Sequence, residues 1–403
     1  MFSRLGYIMA VLFLTVQAGN SYAFTQADSV VTDTTQVKTV DPQKSVVSIE
    51  NKPFGKSLVI DTNGPDFKFS LEGRVQTRFD VVSLDGDNTQ ELYFRRARLK
   101  SGGYLFSEKL GYKLEFDLIN NEVLDAVLKW KFLPNTSLWV GQTKLAGNRE
   151  RVVSSQNMQF VDRSRLNADY NIDRDLGVQL HHKFSVKDWV IKGSVAVSTG
   201  EGKNYNYVGE QELSDGLAYT GRIDFLPFGN FKSKGDYVES DLERESTPKL
   251  AVGFTYSTDD NAIRDRGQRG SVLSGTRDLE SYFADFIFKY RGFSMLGEYA
   301  HKSTDGETPV VIDTAERFES FRTGQGMNLQ AGYLLKSNWE FAGRFTEIWP
   351  EEVTGREHVQ EYTVGVSKYI MKHKIKAQSD FSYSDFDVAK DEMTWRLQVE
   401  LSF

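Results

Sequence analysis

The side chains best suited to chemistry in this chain are arginines and lysines, and their spacing is that of strands rather than of a catalytic cluster. Arg74 and Arg78 fall on the polar positions of one alternating segment, and Arg96, Arg98 and Lys100 on those of the next. Lys113, Lys129, Lys131, Lys183, Lys192, Arg222, Lys289, Arg344, Lys374, Lys376 and Arg396 continue the series. Guanidinium groups present a planar fork that suits phosphate and carboxylate. A row of such cations along a narrow aqueous path attracts anions and replaces part of their hydration shell. Glu72, Glu115, Asp117, Asp125, Asp224, Asp285, Glu298, Glu340 and Glu400 share the same polar face. The pattern alone therefore leaves two readings open, an anion-attracting wall and a mixed-charge wall that only holds water.

A second group of cations lies in the long connection from Lys144 to Ile172, which carries Arg149, Arg151, Arg163 and Arg165. The same stretch holds Val152, Val153, Met158 and Phe160, apolar side chains that require burial. A long loop with its own apolar anchors packs against its scaffold instead of extending into solvent. Folded into a barrel it would form the narrowest part of the pore, with Lys144, Arg149, Arg151, Arg163 and Arg165 as anion-binding groups. The competing reading is an external cap.

Enzyme and metal signatures are absent from the sequence. There is no G-x-S-x-G elbow and no phosphate-binding P-loop. His181, His182, His301, His358 and His373 lack metal-ligand spacing, and the chain has no cysteine. No catalytic residue, metal or cofactor is expected. The formal net charge of −7 argues against nucleic acid as a partner.

The elements that must position these cations are strands. In the last stretch, Met393, Trp395, Leu397, Val399, Leu401 and Phe403 alternate with Thr394, Arg396, Gln398, Glu400 and Ser402. That is a period of two. The same alternation recurs from Phe67 onward in segments long enough for tilted membrane strands. The spacing predicts about sixteen of them, an even number, as a closed barrel requires. The connections alternate between short ones, such as Pro134–Thr136 and Arg291–Gly292, and long ones, such as 144–172 and 304–323. Short periplasmic turns and long external loops are the habit of outer-membrane barrels. Pro227–Thr247 breaks the rule, being long where a turn should be short, and its charged run suggests a segment hanging into the periplasm. Soluble sandwiches and propellers also alternate, but with shorter strands or a blade repeat.

At the N-terminus, Arg4, the apolar run Leu5–Val16 and the small-residue site Ser21–Ala23 make a secretory signal, too short to span as an anchor. Residues 24–66, rich in Thr, Val, Asp, Gln, Ser and Lys, read as a flexible extension, with one short strand at Lys56–Asp61.

Four stretches carry a family resemblance: L-Y-F-R-R-A-R-L (92–99), G-Y-K-L-E-F-D (111–117), F-L-P-N-T-S-L-W-V-G-Q-T-K (132–144) and S-S-Q-N-M-Q-F-V-D-R-S (154–164). Together they resemble the phosphate-selective porins of the O and P type, over roughly residues 67–403. The resemblance implies a sixteen-stranded outer-membrane barrel, usually trimeric, with a third external loop in the pore and a basic lining that conducts anions such as phosphate. It implies neither enzymatic activity nor a cofactor. Arg163 aligns with its pore loop and Lys144 with the position before it; Arg149, Arg151 and Arg165 rest on the reading of the residues above. The many carboxylates on the polar face depart from the strongly selective members.

The expectation is an all-β chain: a signal peptide at 1–23, a flexible extension at 24–66, and an antiparallel outer-membrane β-barrel porin at 67–403. Its wall cations are Arg74, Arg78, Arg96, Arg98, Lys113, Lys129 and Lys131, and its partners are small anions, lipid and two further copies of the chain. A non-selective porin for small polar solutes, and a barrel that only anchors external loops for adhesion or for binding a partner protein, are the alternatives.

Overall fold

Alternating chains with one apolar and one polar face bury the apolar face in lipid and the polar face around a lumen, provided every backbone group is paired. The computed structural model describes residues 48–50, 58–61, 66–204, 216–312 and 316–403. In it the alternation becomes sixteen barrel strands: β1 Phe67–Leu84, β2 Asp87–Leu105, β3 Ser107–Asp117, β4 Glu122–Leu133, β5 Thr136–Lys144, β6 Arg174–Val186, β7 Trp189–Ser198 and β8 Ala218–Leu226. They continue as β9 Lys249–Arg264, β10 Val272–Tyr290, β11 Phe293–Thr304, β12 Gly324–Leu334, β13 Trp339–Pro350, β14 Val359–Met371, β15 Ile375–Phe386 and β16 Glu392–Ser402. Each pairs antiparallel with the next, and β16 pairs back onto β1 from Glu392↔Leu84 to Ser402↔Arg74. No helix among the described residues is long and apolar enough to cross a membrane; the crossing is made by strands.

The last strand displays the facing rule. Met393, Trp395, Leu397 and Val399 are exposed on the outer surface, whereas Gln398, Glu400 and Ser402 are buried on the inner one. Closure finishes on the terminal residue: the Phe403 N–H donates to the Gly73 carbonyl at 2.9 Å, and the Gly73 N–H donates to the Phe403 carbonyl at 2.7 Å. The Phe403 ring lies where a Cβ on residue 73 would be, 2.6 Å from it. A side chain at position 73 would have to displace that ring.

A short strand, Leu58–Asp61, pairs with β1 from Leu58↔Leu71 to Asp61↔Lys68, on the edge of β1 beyond the end of β16. It falls within the stretch expected at 56–61, and Ser48–Glu50 pairs with it in turn. The expected signal at 1–23 lies outside the described residues. The hairpin joining β9 and β10 extends to the Arg264↔Val272 pair. Its strands continue to Arg264 and from Val272 through two register shifts, because polar residues in water pair as readily as apolar ones in lipid.

Candidate functional site

A cavity of about 750 Å³ opens among β2–β6, the 145–173 connection and the long external connections, with Glu361 of β14 and Arg396 of β16 also on its lining. It is lined by sixteen arginine or lysine side chains against seven carboxylates. A β-bulge in β2 builds part of it. The pairing runs Gln76↔Arg96 and then Thr77↔Phe94, leaving Arg95 as the extra residue. Leu92 and Phe94 are exposed on the lipid side, so the bulge flips the parity and turns Arg95 and Arg96 to the same side. Arg98 follows, paired with Glu115 at 3.2 Å and Asp117 at 3.5 Å. Lys113 bridges Glu115 at 3.0 Å and Asp125 at 2.6 Å. Lys100 lines the cavity, and its side chain makes no hydrogen bond or ion pair among the described residues.

The 145–173 connection holds two short helices, α1 Arg149–Val152 and α2 Arg165–Asp169. Ser164 caps α2, its hydroxyl accepting from the Asn167 N–H at 3.2 Å. The carbonyls at the end of α1 are met by cations. Lys144 Nζ donates to the carbonyls of Arg151 (2.6 Å), Val152 (3.2 Å) and Val153 (3.1 Å). Arg163 donates to those of Glu150 (3.0 Å) and Val153 (2.8 Å). Cations suit a helix C-terminus because its unpaired carbonyls carry partial negative charge. Burial and the neighbouring Arg151 push the Arg163 guanidinium down to about 10. Asp162 bonds Arg78 at 2.7 Å and Arg95 at 3.4 Å, with Arg96 at 3.7 Å. Burial works against its charge, but Arg96, Arg95 and Arg78 outweigh burial and hold the Asp162 carboxyl well below the usual range. Val153, Met158 and Phe160 are buried, as their apolar character requires.

The other end of this connection is tied to the wall. Arg149 is fully buried and donates to Asp285 (2.7 Å), Asp224 (2.6 Å) and the Asp236 carbonyl (2.9 Å). Asn148 donates to Glu298 at 2.7 Å. Further on, Arg74 donates to Ser155 (2.7 Å), Gln156 to Ser402 (2.7 Å), and Gln159 to Ser294 (3.0 Å) and Glu340 (2.8 Å). Lys376 donates to the carbonyls of Gln156 and Met158 at 2.9 and 3.1 Å.

The 227–248 connection is not the hanging segment its charge suggests. Phe231 is buried with Val190, Leu226, Ala251, Ile287 and Leu296. Ser240 bonds Glu340 (2.7 Å) and Tyr369 (2.6 Å), and Lys289 donates to the Ser240 carbonyl at 2.8 Å. Charge does not keep the segment in water, because each buried polar group finds a partner on the wall. A signal was present: Val190 and Ile287 share strand parity with Lys192 and Lys289, so apolar side chains stand on the polar face and need a cover.

Of the expected cations, Arg96, Arg98, Lys113, Lys144, Arg151, Arg163 and Arg165 line the cavity. Arg74, Arg78, Arg149, Lys129 and Lys131 are placed elsewhere. Arg74 and Arg78 are buried among Glu400, Asp80 and Asp162. Arg149 differs most from expectation, being consumed by its two aspartates. Lys129 lies 3.6 Å over the Trp139 ring, and Lys131 is exposed. Sequence reasoning missed Arg95, Arg174, Lys203, Arg266, Arg269, Arg322 and Arg356, all of which line the cavity. The Arg95–Arg96 doublet inside a strand was a signal, since strict alternation would put one of the two into lipid at a cost of about 2–4 kcal/mol. Strand parity places Arg174 with the outward Leu176, yet it heads its strand and turns to Asp125 at 3.2 Å. The rest come from external connections, where period-two reasoning says nothing.

A closed sixteen-strand barrel with a lipid-facing exterior and a charged lumen is an outer-membrane porin. The chain belongs to the phosphate-selective porin O and P family, whose model matches residues 69–394. Among solved structures, it is similar to the outer membrane channel DcaP of Acinetobacter baumannii, with 13% identity and a TM-score of 0.55 over 84% of this chain and 100% of that one. It is also similar to an anion-selective porin from Comamonas acidovorans, with 10% identity and a TM-score of 0.53 over 83% and 99%. The trimer form of OmpT from Vibrio cholerae gives 11% identity and a TM-score of 0.51 over 83% and 99%. At these identities the likeness is one of fold. No curated protein sequence matches the chain.

Proposed function

We propose that this porin passes small anions, phosphate among them, through the basic cavity, and that the 145–173 connection narrows the pore there. The observation that carries the reading is the excess of sixteen cationic over seven anionic side chains around one cavity in a chain whose formal net charge is −7. Charges between low-dielectric walls are screened less than surface charges, so the local surplus outweighs the global deficit. Lys144, Arg151, Arg163 and Arg165 supply its loop side; Arg96, Arg98 and Lys113 supply its wall. Phosphate added to a chloride-conducting channel in a planar bilayer is expected to reduce the chloride current, because guanidinium forks bind it more tightly. An unchanged current overturns the phosphate part of the reading and leaves a general anion path.

The carboxylates favour a second reading. Asp162, Asp169 and Asp173 neutralise part of the cation surplus within the same cavity, which suits a weakly selective porin for small polar solutes. The full reading includes export by residues 1–23 and assembly as a homotrimer, as the trimer form of OmpT suggests. Mature protein beginning near Phe24, and a trimer on chemical cross-linking, are the corresponding outcomes.

A further inference from the structure

We propose that residues 227–248, entering from the periplasmic end, are the second half of the constriction. With 145–173 they form a fixed partition that confines solutes to the strip of lumen along β2–β6. This rests on the reading of 145–173 as a pore element. The two connections come from opposite ends of the barrel and meet. The Glu239 N–H donates to the Asn157 carbonyl at 3.0 Å, the Gln159 N–H donates to the Glu239 carboxylate at 2.7 Å, and Asn157 Nδ2 reaches the Tyr237 carbonyl at 3.5 Å.

On one side this seam is bonded to the wall throughout. Arg74 of β1, Ser402 of β16, Lys376 of β15 and Tyr369 of β14 hold it. Glu340 of β13 and Lys289 of β10 complete the arc. Among the described residues, no hydrogen bond or ion pair ties 154–159 or 235–241 to β2–β6. A second cavity of about 290 Å³ lies on the periplasmic side of the seam, between 232–245, β1 and the β14–β15 turn, and it shares no lining residue with the outer one. The partition thus separates two cavities, and the strip left free is the one that carries Lys100 and Lys113. The buried Phe231 and the buried Ser240–Glu340–Tyr369 bonds make the segment a wall and not a gate, since opening would strand those polar groups without partners.

Two variants test this. Replacing residues 232–241 by a short Gly-Ser linker is expected to raise single-channel conductance several-fold and to admit larger sugars in liposome swelling; unchanged conductance and exclusion limit overturn the proposal. In a chain with no native cysteine, the pair Asn157→Cys and Glu239→Cys should form a disulfide on oxidation and leave conductance equal to that of the reduced form. Failure of the disulfide to form, or a current lost on oxidation and restored on reduction, would mean that the seam is absent or opens during conduction. Cation preference in the unmodified channel would refute the anion reading and leave the partition standing.

Discussion

The two sides of the lumen use the same residue types in opposite ways. Along β7–β16, the buried lumenal cations are answered by carboxylates, as Arg222 is, or by backbone carbonyls, as Lys289 and Lys302 are. Arg149 and Arg222 both bond Asp224 and Asp285. Along β2–β6 the cations outnumber their partners around an open cavity, and Lys100 has none within bonding distance among the described residues. A guanidinium whose charge is answered by two aspartates is an anchor; one left in surplus on a wetted surface is a source of potential. Counting arginines therefore says little about selectivity until each carboxylate has been assigned.

The largest expected effect lies on the matched side. Arg149→Ala removes one of two guanidiniums from a buried four-charge cluster, leaving Asp224 and Asp285 to Arg222 alone. Loss of a buried partner costs about 3–5 kcal/mol. The variant should unfold at clearly lower temperature in detergent, with noisier current through the folded fraction. An unaltered transition would mean that Arg149 holds nothing in place.

A smaller effect is expected from the outer face of the same strands. Leu397 is exposed on the lipid side between the inward Arg396 and Gln398. Leu397→Arg should cost about 2–4 kcal/mol in the membrane and shift the protein towards the unfolded band in heat-modifiability gels. Normal folded migration would contradict the facing assignment, and with it the division of the wall into a lipid side and two lumenal regions.

Much of the barrel was legible because period two is a strong signal when lipid fixes the outer face. The sixteen strands and the inward Arg96, Arg98 and Lys113 follow from it, while the burial of Met158 and Phe160 followed from apolar side chains in a long loop. What escaped lay where the period breaks or does not apply. The bulge at Arg95 shifts parity by one residue. Arg266, Arg269, Arg322 and Arg356 converge on the cavity from connections distant in sequence. The fate of Arg149 depended on Asp224 and Asp285, two strands that no local pattern brings to it. The 227–248 connection was misjudged from its own charges, although the apolar Val190 and Ile287 on the polar face marked the place it covers.

Reversal potential across a salt gradient, compared between the unmodified channel and the Lys100→Glu/Arg165→Glu variant, tests most directly whether the cation surplus in the outer cavity sets selectivity. Both side chains line that cavity, one on the wall and one on the loop. The unmodified channel should prefer anions. The variant should lose that preference several-fold or reverse it while migrating as a folded barrel, since lumen substitutions tune selectivity more than stability. The same reversal potential in both would place the ion path away from this cavity and contradict the account.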